Sequence, residues 1–439
     1  MKGIMITAPC SGSGKTMVTI GILRVLSDMG LDICGFKTGP DYIDTAFIKK
    51  ASKKDAGNID IHLEGSEGIK KSLYMGNSEY CVIEGAMGYF DGIYNTFENS
   101  SYDISKHIKV NSILVYTPKG EMFSAVPKIK GMADFKGSTI KGIILNRVSE
   151  NCYRMLKEQI EQYTGLYVLG FVPEIHDIEI KSRHLGLVQS IEINDIENRI
   201  EKAAEIIKKN IDIELLIKLM NDVDDVPVEY PEKRNIKAAI AKDKAFSFYY
   251  RENIKLFSSC CSVEYFSPLK DSSIPECDFL YLGGGYPEVF RQELSENKNM
   301  LSSIKSFADG GGCIYGECGG FMYLMEYIED CSMAGIFKGK SILTKSLQRF
   351  GYIDIELKAD CMMGKKGDKI TAHEFHKSIS DVKGDTLYSI KKTMGDKTWN
   401  CGYSYKNVFA GYPHINFLGN MDSFLSMLDY VELNAHTTA

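Results

Sequence analysis

The sequence predicts an α/β protein of two domains, each a parallel sheet covered by helices. The chain has 439 residues, more than one ordinary domain holds. Short apolar runs bounded by turn residues alternate with amphipathic stretches in both halves, which is βαβ patterning. An acidic segment with two prolines and no hydrophobic period, 221–234, separates the halves. We therefore expect domains over residues 1–222 and 235–439.

The individual elements follow from the same patterns. Apolar runs predict strands in the first half at 3–8, 32–35, 80–83, 112–116 and 142–145, and in the second half at 236–241, 279–282 and 313–315. Apolar residues at helical spacing predict helices at 17–29 and 300–308. Ligands of open α/β sheets bind beyond the carboxyl ends of the strands, so functional residues are expected in the loops that follow them.

Composition narrows the class of protein. Hydrophobic residues make up 44% and charged residues 25%, as in ordinary globular domains. The net charge of -6 and the lack of a long basic run argue against nucleic acid as a partner. No apolar run of about 18 residues and no signal-peptide pattern occurs, so we expect no membrane partner and a cytoplasmic protein. The 12 cysteines include no CxxC spacing, which predicts scattered reduced thiols and no zinc site.

The first candidate site is a phosphate-binding loop with the sequence PCSGSGKT, between a predicted strand and a predicted helix. Gly12, Ser13 and Gly14 would curl the backbone so that its N–H groups face phosphate oxygens at the positive end of the helix dipole. Lys15 would neutralise the β- and γ-phosphates, and Thr16 would offer its hydroxyl to Mg²⁺. The loop therefore predicts ATP as a co-substrate.

Two acidic loops follow predicted strands of the first domain. One carries Asp41, in the run FKTGPDYID, and the other carries Glu84, in the run VIEGAMGYFDG. Mg²⁺ prefers hard oxygen ligands and usually few protein carboxylates. We therefore expect Asp41 and Glu84 to bind Mg²⁺ together with Thr16.

The second candidate site is a cysteine form of the nucleophile elbow, in the run CIYGECGGFMYL. Glycines two residues before and after Cys318 allow a sharp strand-to-helix turn that presents the thiol at a helix N-terminus. The backbone N–H of Gly319 is a natural oxyanion donor, and Gly284, in a GGGYPE loop after another strand, supplies a second donor.

A cysteine nucleophile needs a base, and the eight histidines of the chain offer three candidates. His414 follows the last strand-like run, in GYPHINF. His373 and His376, in AHEFHKS, are its rivals. The pattern favours His414 without excluding the other two.

Taken in order, these motifs resemble the cobyrinate a,c-diamide synthase family. The resemblance covers nearly the whole chain and rests on the phosphate loop together with 36–44, 82–92, 182–187, 245–250, 280–288, 316–320 and 373–378. It implies an N-terminal P-loop NTPase domain of dethiobiotin-synthetase type. It also implies a C-terminal class I glutamine amidotransferase domain of flavodoxin-like architecture.

The resemblance implies a chemistry that joins the two sites. Glutamine is hydrolysed at Cys318, and the ammonia passes to the N-terminal domain. There ATP phosphorylates the a- and c-acetate carboxylates of a corrin in turn, and ammonia displaces each phosphate. A bare carboxylate does not react with ammonia, so an ATP site and a thiol site in one chain are consistent with each other. The implied partners are small molecules: a tetrapyrrole polycarboxylate, glutamine and ATP.

The resemblance also assigns roles that the motifs alone do not. Lys37 would neutralise the transferring phosphoryl group, and Asn146 would contact adenine. A further set would face the substrate carboxylates, with a guanidinium fork as the main clamp. That set is Asp44, Asp91, Ser182, Arg183 and His184.

One departure from the family pattern concerns the base. Members of the family usually have a second histidine two residues after the catalytic one, and class I amidotransferases often have a glutamate there. This chain has Asn416 at that position. The residue that orients His414 is therefore open at this point.

Other interpretations stay open on the residues themselves. A partner-binding P-loop ATPase of the chromosome-partition type would carry lysine where this chain has Cys10, and it would not explain Cys318. A non-catalytic scaffold would not need Lys15, Cys318 and His414 together. Amide ligases with another acceptor share most of the motifs, namely cobyric acid synthase, nickel-sirohydrochlorin a,c-diamide synthase and hydrogenobyrinate a,c-diamide synthase.

Overall fold

A computed structural model describes residues 1–175 and 193–435. The chain divides into two compact units, Met1–Val228 and Glu229–Ala439. Within the described ranges, no helix is both long and apolar enough to cross a membrane.

The first unit is an α/β unit. Its strands are β1 (Lys2–Thr7), β2 (Ile33–Thr38), β3 (Gly57–Ile59), β4 (Tyr80–Glu84), β5 (Ser112–Tyr116), β6 (Ile140–Asn146), β7 (Tyr167–Val172) and β8 (Asn221–Asp222). Its helices are α1 (Lys15–Asp28), α2 (Tyr42–Ser52), α3 (Ile61–Tyr74), α4 (Ser101–His107), α5 (Ala125–Asp134), α6 (Glu150–Thr164), α7 (Ile193–Asn210) and α8 (Ile213–Leu219). A short 3-10 helix, Phe135–Gly137, follows α5.

The sheet of the first unit runs in the order β3-β2-β4-β1-β5-β6-β7 with parallel pairings. Successive side chains of β1 point to opposite faces: Ile4 and Ile6 pack in a core cluster with α1 and α7, and Met5 packs in a cluster on the other face. Both faces are covered, so the central strands read as continuous apolar runs rather than alternating ones.

The predicted linker begins at Asn221, but its first two residues belong to the sheet. Asn221 and Asp222 form β8, which pairs antiparallel with the start of β1. The Asn221 side chain also accepts a hydrogen bond from the Asn111 N–H and donates one to the carbonyl of Lys109. A two-residue strand held partly by a side chain leaves no hydrophobic period in the sequence, which is why the pattern missed it.

The second unit combines an α/β layer with further sheets. Its strands are β9 (Lys237–Ala241), β10 (Phe246–Phe248), β11 (Ser262–Phe266), β12 (Phe279–Leu282), β13 (Gly284–Gly285), β14 (Cys313–Glu317), β15 (Met325–Ile328), β16 (Cys331–Ser332), β17 (Phe337–Leu343), β18 (Arg349–Leu357), β19 (Lys369–His376), β20 (Ser378–Val382), β21 (Tyr388–Lys392), β22 (Thr398–Cys401), β23 (Tyr403–Tyr405), β24 (Val408–Gly411) and β25 (His414–Ile415). Its helices are α9 (Arg251–Cys260), α10 (Arg291–Glu296), α11 (Lys298–Asp309), α12 (Gly319–Leu324) and α13 (Met421–Ala435).

The main sheet of the second unit has the order β11-β9-β12-β14-β24-β23. Its first five strands are parallel, and their order is that of flavodoxin-like folds, while β23 is an antiparallel edge. Two further sheets, β16-β15-β17-β20 and β22-β21-β18-β19-β25, and the pair β10-β13 complete the unit. The predicted two-domain α/β fold class is confirmed, and the further sheets are additions that the sequence pattern did not reveal.

Candidate active sites

The phosphate-binding loop joins the end of β1 to the start of α1. Gly12 and Gly14 have φ of 78° and 87°, in the left-handed region that favours glycine. A Cβ at position 14 would lie 2.3 Å from Nδ2 of Asn146, so a side chain there has no room. The loop is therefore curled tightly at the N-terminus of α1, where backbone N–H groups and the helix dipole favour an anion.

Lys15 is 7% exposed and is held against backbone carbonyls. Its Nζ donates to the carbonyl of Cys10 at 3.3 Å and to the carbonyl of Met87. Burial, followed by repulsion from Lys37, lowers the pKa of Lys15 to about 8. The positive charge of Lys15 thus has too little negative charge around it. A phosphate would stabilise the protonated lysine better than the two carbonyls do.

Glu84, at the end of β4, is fully buried and is the centre of a charged cluster. Its Oε1 accepts hydrogen bonds from the Thr16 hydroxyl at 2.6 Å and from Lys37 Nζ at 2.8 Å. Lys37 also forms an ion pair with Asp44 at 2.8 Å. Burial raises the pKa of Glu84, and the charge of Lys37 opposes that shift. Oε2 of Glu84 is buried with no hydrogen-bond partner among the described residues.

Asp41 lies at the N-cap of α2. Its Oδ1 accepts hydrogen bonds from the backbone N–H groups of Ile43 and Asp44, both at 2.9 Å. Burial and the neighbouring charge of Asp44 raise the pKa of Asp41. The structure therefore brings Asp44 into the same cluster as Glu84 and Lys37, with Asp41 beside it.

Asn146, at the end of β6, lies on the phosphate loop. Its Nδ2 donates to the carbonyl of Ser13 at 2.8 Å, and its Oδ1 is buried with no hydrogen-bond partner among the described residues. Asp91 lies in the exposed loop after β4, where its Oδ2 accepts from the N–H of Gly88 at 3.0 Å. The predicted substrate residues Ser182, Arg183 and His184 lie outside the described residues.

In the second unit, Cys318 occupies the turn between β14 and α12. Its backbone has φ 47° and ψ -97°, an uncommon conformation for a residue with a side chain. The Cys318 N–H donates to the carbonyl of Gly411 on the neighbouring strand, and the Cys318 carbonyl accepts from Met322. The side chain is 7% exposed. This is the geometry of a nucleophile elbow, and backbone hydrogen bonds on both sides hold it.

The glycines around Cys318 are required by close packing. A Cβ at Gly320 would lie 2.0 Å from the carbonyl oxygen of Leu282, and one at Gly319 would lie 3.0 Å from the backbone nitrogen of Gly285. A Cβ at Gly284 would lie 2.4 Å from Cε1 of His414. The loop after β12 therefore lies directly against both the elbow and the histidine, which is where a second oxyanion donor is needed.

His414 is the first residue of β25 and is 2% exposed. Burial lowers its pKa, but the charge of Cys318, a hydrogen bond with Cys318 and the carboxylate of Glu317 together raise it to about 10. This shift favours the protonated ring at neutral pH. An imidazolium beside a cysteine sulfur favours the nucleophilic thiolate.

The two rival histidines have other partners. His373 hydrogen bonds through Nδ1 with the Tyr250 hydroxyl at 2.9 Å, and its ring lies 5.0 Å from that of His414. Burial, and then the charge of His414, hold the pKa of His373 well below its ordinary value. His376 donates from Nδ1 to the carbonyl of Ser378 at 2.8 Å. His414, in contrast, hydrogen bonds with Cys318.

Glu317, the last residue of β14, is a site residue that the sequence analysis missed. It is 2% exposed, and its Oε2 lies 3.7 Å from Nδ1 of His414. Its carboxylate accepts hydrogen bonds from the hydroxyls of Tyr281 and Tyr315, at 3.0 Å and 2.9 Å, and from the N–H of Ile415 at 3.2 Å. The available signal was a carboxylate that closes an apolar strand directly before the cysteine, where an apolar residue is expected.

The fold and the two sites define the class of protein: a nucleotide-binding P-loop unit and a glutamine amidotransferase unit in one chain. Residues 4–188 match the family model of the CobQ/CobB/MinD/ParA nucleotide binding domain. Residues 237–421 match that of the CobB/CobQ-like glutamine amidotransferase domain.

The chain belongs to the cobyrinate a,c-diamide synthase family, as the sequence motifs predict. It is 44% identical over 430 residues to the cobyrinate a,c-diamide synthase of Clostridium acetobutylicum, which covers 96% of this chain and 98% of that protein. The enzyme of the same name from Clostridium tetani is 44% identical over 98% of this chain and 100% of its own length. That of Streptococcus sanguinis is 36% identical over 98% of this chain and 99% of its own length.

Proposed function

We propose that this chain uses ATP and glutamine to convert the a- and c-acetate carboxylates of cobyrinate into amides. The observation that carries the proposal is the presence, in one chain, of a phosphate loop with a charged cluster at Glu84 and a buried Cys318–His414 pair. The acceptor is inferred from relatives that carry the name cobyrinate a,c-diamide synthase and are similar over nearly their full length. Because both co-substrates are cytoplasmic metabolites, we place the reaction in the cytoplasm.

The glutaminase reaction takes place at Cys318. The thiolate attacks the side-chain amide carbon of glutamine, and the N–H groups of Gly319 and Gly284 stabilise the oxyanion. His414 then gives its proton to the departing nitrogen, which leaves as ammonia, and a glutamyl thioester remains. Water, deprotonated by His414, hydrolyses the thioester and releases glutamate.

The ligase reaction takes place at the phosphate loop. A carboxylate oxygen of the acceptor attacks the γ-phosphorus of ATP, and an acyl phosphate and ADP form. Ammonia then attacks the acyl carbon and expels inorganic phosphate, which leaves the amide. Lys15 leaves the carbonyls of Cys10 and Met87 to bind phosphate oxygens, and Lys37 neutralises the transferring group. The buried Oδ1 of Asn146 has no hydrogen-bond partner among the described residues and can accept a hydrogen bond from the amino group of adenine.

The residues around Glu84 fit Mg²⁺. Oε2 of Glu84 is a buried carboxylate oxygen with no donor among the described residues, and the Thr16 hydroxyl is bonded to the same carboxylate. Mg²⁺ takes few protein carboxylates and completes its shell with phosphate oxygens and water. We propose that Thr16, Glu84 and Asp41 hold it, where it would neutralise charge on the β- and γ-phosphates.

The acceptor carboxylates are assigned to the region of Asp44 and Asp91, together with Ser182, Arg183 and His184. The ion pair between Asp44 and Lys37 supports this assignment, because it joins the first turn of α2 to the phosphoryl-transfer cluster. An acceptor carboxylate near Lys37 would interact with the positive charge that Asp44 also contacts, and it would lie close to the γ-phosphate.

Mass spectrometry tests the acceptor. The protein is incubated with ATP, Mg²⁺ and glutamine, and with cobyrinate, hydrogenobyrinate or nickel-sirohydrochlorin in separate reactions. We expect two successive losses of about one mass unit from cobyrinate, since each amidation replaces OH by NH₂. A kcat/KM about tenfold or more higher for nickel-sirohydrochlorin would replace the proposed acceptor, since that ratio reflects about 1.4 kcal/mol of differential transition-state binding. Absence of amidation on every tetrapyrrole would overturn the function.

A further inference from the structure

We propose that Glu317 is the positioning residue of the glutaminase site. Its buried carboxylate holds the His414 imidazole against Cys318, in the role that many class I amidotransferases give to an acid two residues after the histidine. The inference rests on the proposed glutaminase function of Cys318 and adds a residue to it.

Hydrogen bonds from other residues hold the Glu317 carboxylate in place beside His414. Tyr281 donates to Oε2, and Tyr315 and the backbone N–H of Ile415 donate to Oε1. Ile415 is the residue after His414, so the same carboxylate anchors the backbone of the histidine and faces its ring. Oε2 then lies 3.7 Å from Nδ1 of His414, in the range of an ion pair and somewhat longer than a hydrogen bond. Such contacts are often long without substrate and shorten in the reacting complex.

The burial of Glu317 argues against a purely structural role for its carboxylate. A buried carboxylate is costly unless it is paired and hydrogen bonded, and a neutral glutamine of the same shape would keep several of these bonds without that cost. Glu317 and His414 are each 2% exposed, and the nearby Cys318 is 7% exposed. The protonated ring of His414 would compensate the negative charge of the buried Glu317 carboxylate.

The groups around His414 are consistent with this role for Glu317. Two negative charges, those of Cys318 and Glu317, act on His414 and favour its protonated ring. The ring of His373 stacks on that of His414, and its pKa, well below the ordinary value, keeps it neutral. Asn416 occupies the position where related enzymes place the acid, and its Oδ1 accepts from the N–H groups of Leu418 and Gly419.

The decisive variant is Glu317→Gln, measured as glutaminase activity of the whole chain across pH. We expect kcat/KM for glutamine to fall roughly a hundredfold or more, as it does when an orienting acid is lost from related nucleophile sites. The alkaline limb of the profile, where the imidazolium loses its proton, should move down by about one pH unit or more, because the stabilising charge is gone. Glu276→Gln, an exposed glutamate of the same unit, is the matched control and should change neither quantity.

Two further variants separate positioning from stability. Tyr315→Phe removes a hydrogen bond to Glu317 but keeps its charge, so it should lower the melting temperature and leave the alkaline limb in place. Glu317→Asp keeps the charge but draws it back by about one bond length, so activity should fall and the limb should move less than in Glu317→Gln. If Glu317→Gln does not fold, the activity and pH profile of Glu317→Asp test the positioning role instead.

The outcomes distinguish the inference from the function on which it rests. If the wild-type chain hydrolyses no glutamine, the proposed function fails. If the wild type is active and the alkaline limb stays fixed in Glu317→Gln, or if Glu317→Asp keeps full activity with an unchanged profile, then the positioning role is wrong and the function stands.

Discussion

The charged cluster around Glu84 offers the sharpest test of the ligase site, through the variant Glu84→Gln. The change keeps the shape of the side chain and an oxygen for the Thr16 hydroxyl, which lies at 2.6 Å. It removes the negative charge that lies 2.8 Å from Lys37 Nζ. Lys37 keeps its second partner, Asp44, also at 2.8 Å, so the fold should lose only about 1–3 kcal/mol.

Glu84→Gln should lose more transition-state stabilisation than folding stability. A buried charge that stabilises a transferring phosphoryl group contributes about 4 kcal/mol, which is roughly a thousandfold in rate. Amide synthesis by Glu84→Gln should therefore fall by about that factor with either glutamine or ammonium chloride as the nitrogen source. Glutamine hydrolysis should stay within about twofold, because Cys318 and His414 are in the other unit.

The assay is the initial rate of amide formation by mass spectrometry, with glutamate release measured in parallel. Glu67→Gln is the matched control, since its side chain is 72% exposed and the chemical change is the same. A melting curve establishes that Glu84→Gln is folded at the assay temperature. Synthesis within tenfold of wild type from both nitrogen sources would refute the assignment of Glu84 to the phosphoryl-transfer site.

The remaining predictions concern the other site residues. Cys318→Ser should lose glutamine-driven synthesis and keep ammonium-driven synthesis; loss of both in a folded variant would contradict separate half-reactions. His414→Ala should slow glutaminase activity about a hundredfold or more, as loss of a general base does, and His376→Ala should slow it less; the reverse order would reassign the base. Because the pKa of Lys15 is about 8 without nucleotide and phosphate raises it, ATP binding should take up protons at pH 8.5 but not at pH 6.5. Calorimetry in two buffers of different ionisation enthalpy measures the uptake, and equal values for wild type and Lys15→Met would exclude Lys15 as its source.

Features set by short stretches of sequence could be predicted. The tight turn at Gly14 before α1 follows from the glycine spacing ahead of a helix, and the sharp turn at Cys318 follows from the strand, glycines and helix that adjoin it. The strands and helices that were predicted begin and end within a few residues of observed ones, and many other elements were not predicted. The two parallel sheets followed from apolar runs that are buried on both faces.

Features set by contacts between distant segments could not be predicted. Glu317 was missed because its partner, His414, lies far along the chain on β25. The pairing of Glu317 with Gly411, at the end of β24, brings the chain segment before His414 beside it. Asp44 was expected to face substrate, and no local pattern indicates its ion pair with Lys37. The strands between Met325 and Ile415 were not predicted, although β18 buries Ile353, Ile355 and Leu357 in the alternation typical of a strand. Their pairing, across hairpins and over long separations, is set by contacts that no local pattern indicates.

The backbone of Cys318 has an evolutionary consequence. Its φ of 47° and ψ of -97° cost a side-chain-bearing residue about 1–3 kcal/mol, and glycine would bear much less of that cost. A mutation of this cysteine to glycine would therefore relieve the backbone strain at the turn and, if Cys318 is the nucleophile we propose, abolish glutamine hydrolysis. Backbone strain at this turn thus opposes the retention of a cysteine, and we expect a chain that draws on free ammonia to have less reason to keep one there.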